Sequence, residues 1–407
     1  MLRIRRRAAG LISGALLLFV VGTNVQSGWL FVLSALLLGA AVAGIVLPLL
    51  MVRRVTVARR APSEAFAGED VRVDLLAKNE GRGASLSVVL KDQHVVPAAV
   101  FVPSLGPGES AIASTERRAS RRGVVDAAAV QVVSSAPLGV AEARRSVPAA
   151  GRTVIYPRVV PLSSFPMLDA APSSGGEETE ARAGRGHGQD FLGVREYQRG
   201  DSLRHVHWPS TARHGSLIVR EFEQERPARL VGVIDTWADA GEGETALDLC
   251  CSVVGSVALH GLRSGHRVAL AAARDGEIAP PVEMDRKAAL TWLAELRAPG
   301  GLALAVAVER IASEIRAPAC LLVAFPAWRP NAVRGLVQTV AALAARGINV
   351  AAAVVDVSRL HAAVPVLGER DREQLVHELA AAGVDVYPID PEEDLAACLA
   401  RSPSSVG

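Results

Sequence analysis

Lysine is almost missing from this chain of 407 residues: Lys78, Lys91 and Lys287 are the only three, and the rest of its 44 basic residues are arginine. A phosphate-cradling loop of the form GxxxxGK[ST] is therefore absent, which argues against a P-loop ATPase. Cysteine is scarce too. Cys250, Cys251, Cys320 and Cys398 show no CxxC spacing and no disulfide framework, so reduced core thiols are expected. Aromatic residues make up 4% of the chain against 50% hydrophobic residues, which points to cores of small and aliphatic side chains. An excess of charge is lacking as well: the formal net charge is +2, and nothing global indicates nucleic acid.

What the chain does have is length enough for two ordinary domains and, ahead of them, two long apolar runs. Residues 8–25 and 29–52 carry no charge and match the ~20 residues needed to cross a bilayer. Gln26-Ser27-Gly28 joins them, so residues 1–52 are expected to form a transmembrane helical hairpin. Arg3, Arg5, Arg6 and Arg7 precede the first run, Arg53, Arg54, Arg59 and Arg60 follow the second, and the turn has no basic residue. The positive-inside rule then places both flanks in the cytoplasm, in a two-pass protein of the cell membrane. A signal peptide is the competing reading, disfavoured by the adjoining second run and the lack of a convincing cleavage site.

Residues 53–160 turn to short alternating segments with glycine and proline between them. Val71, Val73, Leu75 and Ala77 alternate with polar partners, and Leu86, Val88 and Leu90 repeat the period. Further strands are expected over residues 110–119, 124–133, 139–147 and 153–156, which together indicate a β-sandwich of immunoglobulin-like type. Residues 161–187 have the polar, glycine-rich composition of a flexible linker. Gly184-x-Gly186-x-Gly188 spans its end with no strand before or helix after, so it is not read as a dinucleotide fingerprint.

From residue 229 to 401 strand and helix alternate. Strands are expected at 230–234, 268–273, 319–325, 348–355 and 384–389. Helices are expected at 245–262, after Asp285, at 304–316, 331–345, 370–382 and 392–400, with Gly347 and Gly383 as stops. That order predicts a doubly wound parallel α/β sheet, followed by a tail at 402–407.

Residues 188–228 concentrate charge, aromatics and glycine. The order Phe191-x-Gly193-x-Arg195-Glu196-Tyr197, Gly200-Asp201, Arg204, His207-Trp208, Ala212-Arg213 and Val219-Arg220-Glu221-Phe222-Glu223 resembles the signature of the bacterial domain-of-unknown-function family 58. Ala136-Pro137-Leu138-Gly139 and Val154-Ile155-Tyr156-Pro157-Arg158 resemble its preceding segments, the first in altered form. The resemblance implies that the C-terminal domain is von Willebrand factor type A-like. It also implies partnership with a MoxR-type AAA+ ATPase and with transglutaminase-like membrane proteins in assembly or maturation.

A von Willebrand factor type A-like domain commonly holds a divalent cation at Asp-x-Ser-x-Ser after its first strand. Here that stretch is Asp235-Thr236-Trp237-Ala238-Asp239. The expected threonine loop is Pro299-Gly300-Gly301-Leu302, and the later strand ends Phe325-Pro326 without an aspartate. Hard cations need several oxygens, so Asp235, Thr236 and Asp239 are expected to form a degenerate position, with no metal or other cofactor.

In the signature, His205 and His207 could share a face of an extended segment, but a third ligand is not evident. Asp201 with His207 could form an acid/base pair serving Ser210 or Ser216, although no GxSxG elbow is present. The preferred reading pairs Arg195, Arg204, Arg213 and Arg220 with Glu196, Asp201, Glu221 and Glu223, with Tyr197 and Trp208 for packing. Those residues then form a structural clamp or a partner surface. The expected function is a membrane-anchored, non-enzymatic interaction or scaffold protein; the alternative is a metal-dependent or hydrolytic enzyme using Asp201, His205 and His207.

Overall fold

The computed structural model describes residues 2–169, 191–197, 206–222, 229–241, 244–315, 319–327, 335–358, 360 and 366–401. Two compact units result: Met1–Arg158 with Thr291–Leu296, and Val159–Leu290 with Arg297–Gly407.

The first unit begins with a short strand, β1 (Leu2–Ile4), and two helices, α1 (Arg6–Val25) and α2 (Gly28–Arg53). Gln26 adopts a left-handed conformation (φ 53°) to turn the chain between them. Small residues recur every seventh position, Ala8, Ala15 and Gly22 on α1 with Ser34, Ala41 and Pro48 on α2, and these are buried. Such spacing lets two helices approach closely in an apolar medium. Ser34 adds a buried hydrogen bond from its hydroxyl to the Ala15 carbonyl oxygen at 2.7 Å. Most large side chains point away, including Leu16, Leu17, Leu36 and Trp29. Two apolar helices with outward apolar surface are consistent with a membrane anchor. Ala246–Arg263 is also long and apolar, but it is buried within the second unit.

The strands after the hairpin form two sheets. One has β2 (Val55–Arg60), β4 (Asp70–Asn79) and β7 (Ser110–Arg118) in the order β2-β4-β7. The other orders β1-β9-β8-β5-β6 from β5 (Ser85–Asp92), β6 (Ala98–Leu105), β8 (Gly123–Ser134) and β9 (Ala141–Tyr156), with β3 (Glu64–Phe66) parallel to β9. The inward residues of both meet in one core, Val71, Val73 and Leu75 against Val88, Leu90 and Val132, for example.

Three expectations need correction here. Residues 141–147 of the span expected at 139–147, and 153–156, are parts of one strand, β9, because a register shift between Ala127 and Ala129 of β8 accommodates Pro148 and the residues after it. Leu86 does not bury with Val88 and Leu90: left-handed Ser87 (φ 49°) interrupts the alternation and leaves Leu86 exposed. Arg59, counted among the arginines that follow the second run, is not at the surface. Its side chain is fully buried, pairs with Asp92 at 2.6 Å and donates to the carbonyl oxygens of Ala127 and Ala149. Strand β6 was not anticipated at all.

The second unit opens with residues expected to belong to the linker. Leu162, Phe165, Met167 and Leu168 are buried, Phe165 stacks on Tyr387, and α3 (Pro166–Asp169) carries Asp169 to His260 at 3.0 Å. Residues 170–187 of that linker lie outside the described residues.

Five parallel strands form the centre: β12 (Arg229–Ile234), β13 (Arg267–Arg274), β16 (Ala319–Pro326), β17 (Asn349–Val355) and β18 (Asp385–Ile389), side by side as β13-β12-β16-β17-β18. Short β14 (Glu277–Ile278) and β15 (Val282–Glu283) pair antiparallel with β13. Two faces follow from the strand alternation. Val231, Val233, Leu321 and Val323 pack with residues of α7 (Leu304–Glu314), α8 (Leu336–Ala345) and α9 (Glu369–Ala381). Gly232 instead faces α5 (Ala246–Arg263), where an added Cβ would meet Val254 Cγ1 at 2.7 Å. The helix α5 starts at a capping box: Thr245 accepts from the Asp248 amide, and Asp248 accepts from the Thr245 amide. Helices α6 (Arg286–Glu295) and α10 (Leu395–Ala400) complete the element order, and Asp285 accepts from the Ala288 amide ahead of α6.

Candidate functional site

The charged stretch folds as a separate ribbon. Strand β10 (Phe191–Glu196) runs antiparallel to β11 (Ile218–Phe222), with α4 (Trp208–His214) between them in sequence. The register sets Glu196 opposite Ile218, Arg195 opposite Val219, Val194 opposite Arg220 and Gly193 opposite Glu221, then shifts so that Phe191 faces Phe222. Val206 bridges to Val219 from elsewhere in the segment. Backbone bonds from Tyr197 N to Leu217 O (2.8 Å) and His207 N to Ile218 O (2.7 Å) extend the pairing.

Local chemistry explains the helix. Pro209 suits its first turn, where a missing amide costs nothing, and Gly215 ends it at φ 72°, donating to the Thr211 carbonyl oxygen. The Thr211 hydroxyl accepts from the Ile218 amide at 3.0 Å, which ties the helix to β11. His207 Nδ1 lies 2.7 Å from the Ser210 hydroxyl oxygen.

Burial divides the ribbon. Val206, Ile218 and Val219 are buried, while Val194, Leu217 and Trp208 are exposed, Trp208 by 66%. Arg213 is exposed as well and Tyr197 is half-buried. Trp208, expected to supply packing, stands exposed at the first position of α4. The backbone of Arg195, Glu196, Arg220 and Glu221 lies in the paired strands. Gly200, Asp201, Arg204, His205 and Glu223 lie outside the described residues.

At the carboxyl end of β12, Asp235 is buried, and burial pushes its carboxyl up to about 6, only partly opposed by the hydrogen bond it accepts from the Trp237 amide at 3.0 Å. This is where the parallel strand order reverses, between β13 and β16, a position where open α/β sheets often bind ligands. The three oxygen-bearing side chains are engaged internally. Thr236 donates its hydroxyl to the Ala273 carbonyl oxygen at 2.7 Å, and Asp239 accepts from the amides of Ala240 (3.0 Å) and Leu247 (3.1 Å). Gly300 closes on Thr236, its amide donating to the Thr236 carbonyl oxygen at 2.6 Å. Such a donor set does not fit a hard cation, which needs several free oxygens converging on one point. Among the described residues no group of three or more His, Cys, Asp or Glu side chains is placed to hold a metal.

Sequence reasoning missed a third cluster. His260, Arg263 and Arg286 line a cavity of about 570 Å³ with Val160, Leu162 and Leu259. His260 meets Asp169, and Arg263 donates to the Leu162 carbonyl oxygen. Its partners are about ninety residues or more apart in sequence, so no local spacing advertises it.

Residues 193–376 match the family model described as "Protein of unknown function DUF58", which supports that family for the greater part of the second unit. None of the curated proteins matches the chain. Among solved structures, the CARDB domain of a Pyrococcus furiosus protein is 14% identical, covers 25% of this chain and 91% of its own, and has a TM-score of 0.19. The Pseudomonas fluorescens alkylpurine DNA glycosylase AlkC is 16% identical over 25% of this chain and 30% of its own, with a TM-score of 0.17. A Listeria innocua beta-glucosidase is 18% identical over 25% and 16%, with a TM-score of 0.14. Scores this low carry no argument about function.

Proposed function

We propose that this chain, with a DUF58 match over residues 193–376, is a membrane-anchored, non-enzymatic scaffold whose ribbon β10-α4-β11 docks a MoxR-type AAA+ ATPase. The observation that carries the reading is the ribbon's division: Val206, Ile218 and Val219 hold one side in place while Trp208, Val194 and Leu217 face solvent beside exposed Arg213. Exposed tryptophan and arginine are the side chains that most often anchor protein interfaces. The rest of the architecture is an immunoglobulin-like sandwich and a doubly wound, von Willebrand factor type A-like domain. The parallel order β13-β12-β16-β17-β18 with an antiparallel edge supports the second assignment. A transglutaminase-like membrane protein is a further candidate partner.

Both ends of the hairpin serve the same unit. Strand β1, before α1, pairs with β9, and α2 runs into β2. That supports a two-pass topology with both flanks on one side, and the flanking arginines favour the cytoplasmic one. Reporter fusions after Arg60 and at Gly407 should both read cytoplasmic, and an external signal from either overturns the compartment and the ATPase partnership with it.

The docking test is co-purification from membranes in mild detergent, with the ATPase identified by mass spectrometry. Trp208→Ala with Arg213→Glu should release it while leaving the melting temperature unchanged; retention of the ATPase at wild-type level rejects the ribbon as the interface. The second reading, a hydrolase, is favoured by the contact between His207 and Ser210. Reaction of Ser210 with a fluorophosphonate probe, abolished in His207→Gln, would favour it over the scaffold.

A further inference from the structure

Gly139 and Val140 are adjacent in sequence and lie against two different helices. A Cβ on Gly139 would lie 3.7 Å from Arg7 Nη1, and a Cβ on Gly44 would meet Val140 Cβ at 3.0 Å. Arg7 of α1 is therefore level with Gly44 of α2. Pairing within the hairpin agrees: Gly22 faces Leu30 and Gly14 faces Leu37, so each step back along α1 is a step forward along α2. From Gly44 the second helix continues to Arg53, about 14 Å at 1.5 Å per residue.

That protruding stretch ends in the sandwich. Val52 joins its core, and the Ser85 hydroxyl donates to the Met51 carbonyl oxygen at 2.7 Å. Its other side exposes Val46, Leu49 and Leu50. At the same end, Ile4 of β1 and Leu138 before β9 are exposed by 59% and 47%. Arg5 is committed to Glu142 at 2.8 Å, but Arg3, Arg6 and Arg7 are exposed and pair with no carboxylate among the described residues.

Neither solvent suits this collar. If hydrocarbon reached Arg53, then Arg6 and Arg7 would be sunk roughly 10 Å into it, at a cost of about 3 kcal/mol or more each. If hydrocarbon stopped at Gly44 and water began there, five large apolar side chains would face water. The headgroup layer accepts both, because long basic side chains reach phosphates there while apolar ones settle among the glycerol backbones.

We propose that this end of the first unit is seated in the headgroup layer, with Arg6 and Arg7 binding the phosphate of an anionic phospholipid and Leu138 inserted beside them. The inference rests on the membrane-anchor reading of α1 and α2. It makes the sandwich a body held at the bilayer surface by three points, α2, β1 and the loop at Leu138.

The full chain, purified in mild detergent, is mixed with phosphatidylglycerol or phosphatidylcholine, and retained lipid is counted by native mass spectrometry. Wild type should retain phosphatidylglycerol preferentially, Arg6→Gln with Arg7→Gln should weaken the preference by about fivefold per arginine, and Arg117→Gln on β7 should keep it. Equal retention of both lipids by wild type overturns the proposal. So does equal competition by free glycerol phosphate, which would mark a soluble-anion site. A fluorophore on Leu138→Cys, introduced against four buried native thiols, supplies an independent reading in nanodiscs. Quenching by headgroup-proximal spin-labelled lipid supports the seat, and no quenching by any labelled lipid overturns it. Release of the chain from native membranes by alkaline carbonate would instead reject the membrane anchor itself.

Discussion

Thr236 and Gly300 interlock: the Gly300 amide donates to the Thr236 carbonyl oxygen at 2.6 Å, and a Cβ at position 300 would stand 2.9 Å from Thr236 Cβ while overlapping the Thr236 hydroxyl and the Ala273 carbonyl oxygen. The Gly300 carbonyl oxygen in turn accepts from the Gly276 amide at 2.8 Å. The loop at Gly300 thus serves as a plug over the end of β12 and β13. Backbone cannot yield as a flexible side chain can. Gly300→Ala should cost about 3 kcal/mol in the melting of the second unit, the upper end of ordinary overpacking. An unchanged melting temperature would mean that the plug is loose.

Asp235 is buried next to Thr236 in sequence, at the carboxyl end of β12. Its carboxyl is raised to about 6, above its unfolded value of 3.8, because burial penalises the charge. The folded state therefore binds the proton more tightly than the unfolded chain. The stability this contributes is fully present below about pH 3.8 and is lost as pH rises through about 6. Over that pH range the loss amounts to about 3 kcal/mol. Asp235→Asn, which keeps an acceptor for the Trp237 amide, should flatten that part of the stability profile and raise the melting temperature at pH 7. A profile identical to wild type would show that Asp235 is compensated by a charge or ion.

The two positions show what the chain made legible. The location of Asp235 could be read from an apolar strand followed by an acid, and the bounds of α5 from Thr245 and Asp248, because those signals are local. How Thr236 spends its hydroxyl could not, since its acceptor, Ala273, lies 37 residues on. The same limit hid the docking of Phe165 on Tyr387 inside a segment of linker-like composition. Residues 148–152 fell between two expected strands, yet β8 absorbs the irregularity there by a register shift that only pairing reveals. In the signature, the order of residues marked the segment, but neither its pairing as a ribbon nor which of its side chains face solvent could be read from that order.

Arg59 carries the same lesson into the sandwich. Counted as a membrane-flanking charge, it is buried with Asp92 in an ion pair at 2.6 Å, and Asp92 also accepts from the His94 amide. Removing one partner strands the other charge away from water, at roughly 3–5 kcal/mol. Asp92→Ala and Arg59→Met should each destabilise by that order in denaturant melts of the full chain in detergent. The double substitution to apolar residues should recover part of the loss. Additive losses would show that the two charges act independently.

The ribbon separates a surface from a support. Val219 is 2% exposed, is opposite Arg195 in β10 and is bridged by Val206, whereas Trp208 makes its contribution outward. An aspartate at position 219 would put a carboxylate where a buried apolar side chain packs, so Val219→Asp should lower stability by about 3 kcal/mol or more. Trp208→Ala removes exposed surface and should stay within about 0.5 kcal/mol of wild type. Hydrogen exchange sharpens the comparison. The amides of Ile218 and Val219 should exchange faster in Val219→Asp and unchanged in Trp208→Ala. If Trp208→Ala instead loosens β11 as much as Val219→Asp does, the tryptophan is part of the support, and the proposal that the ribbon docks an ATPase fails.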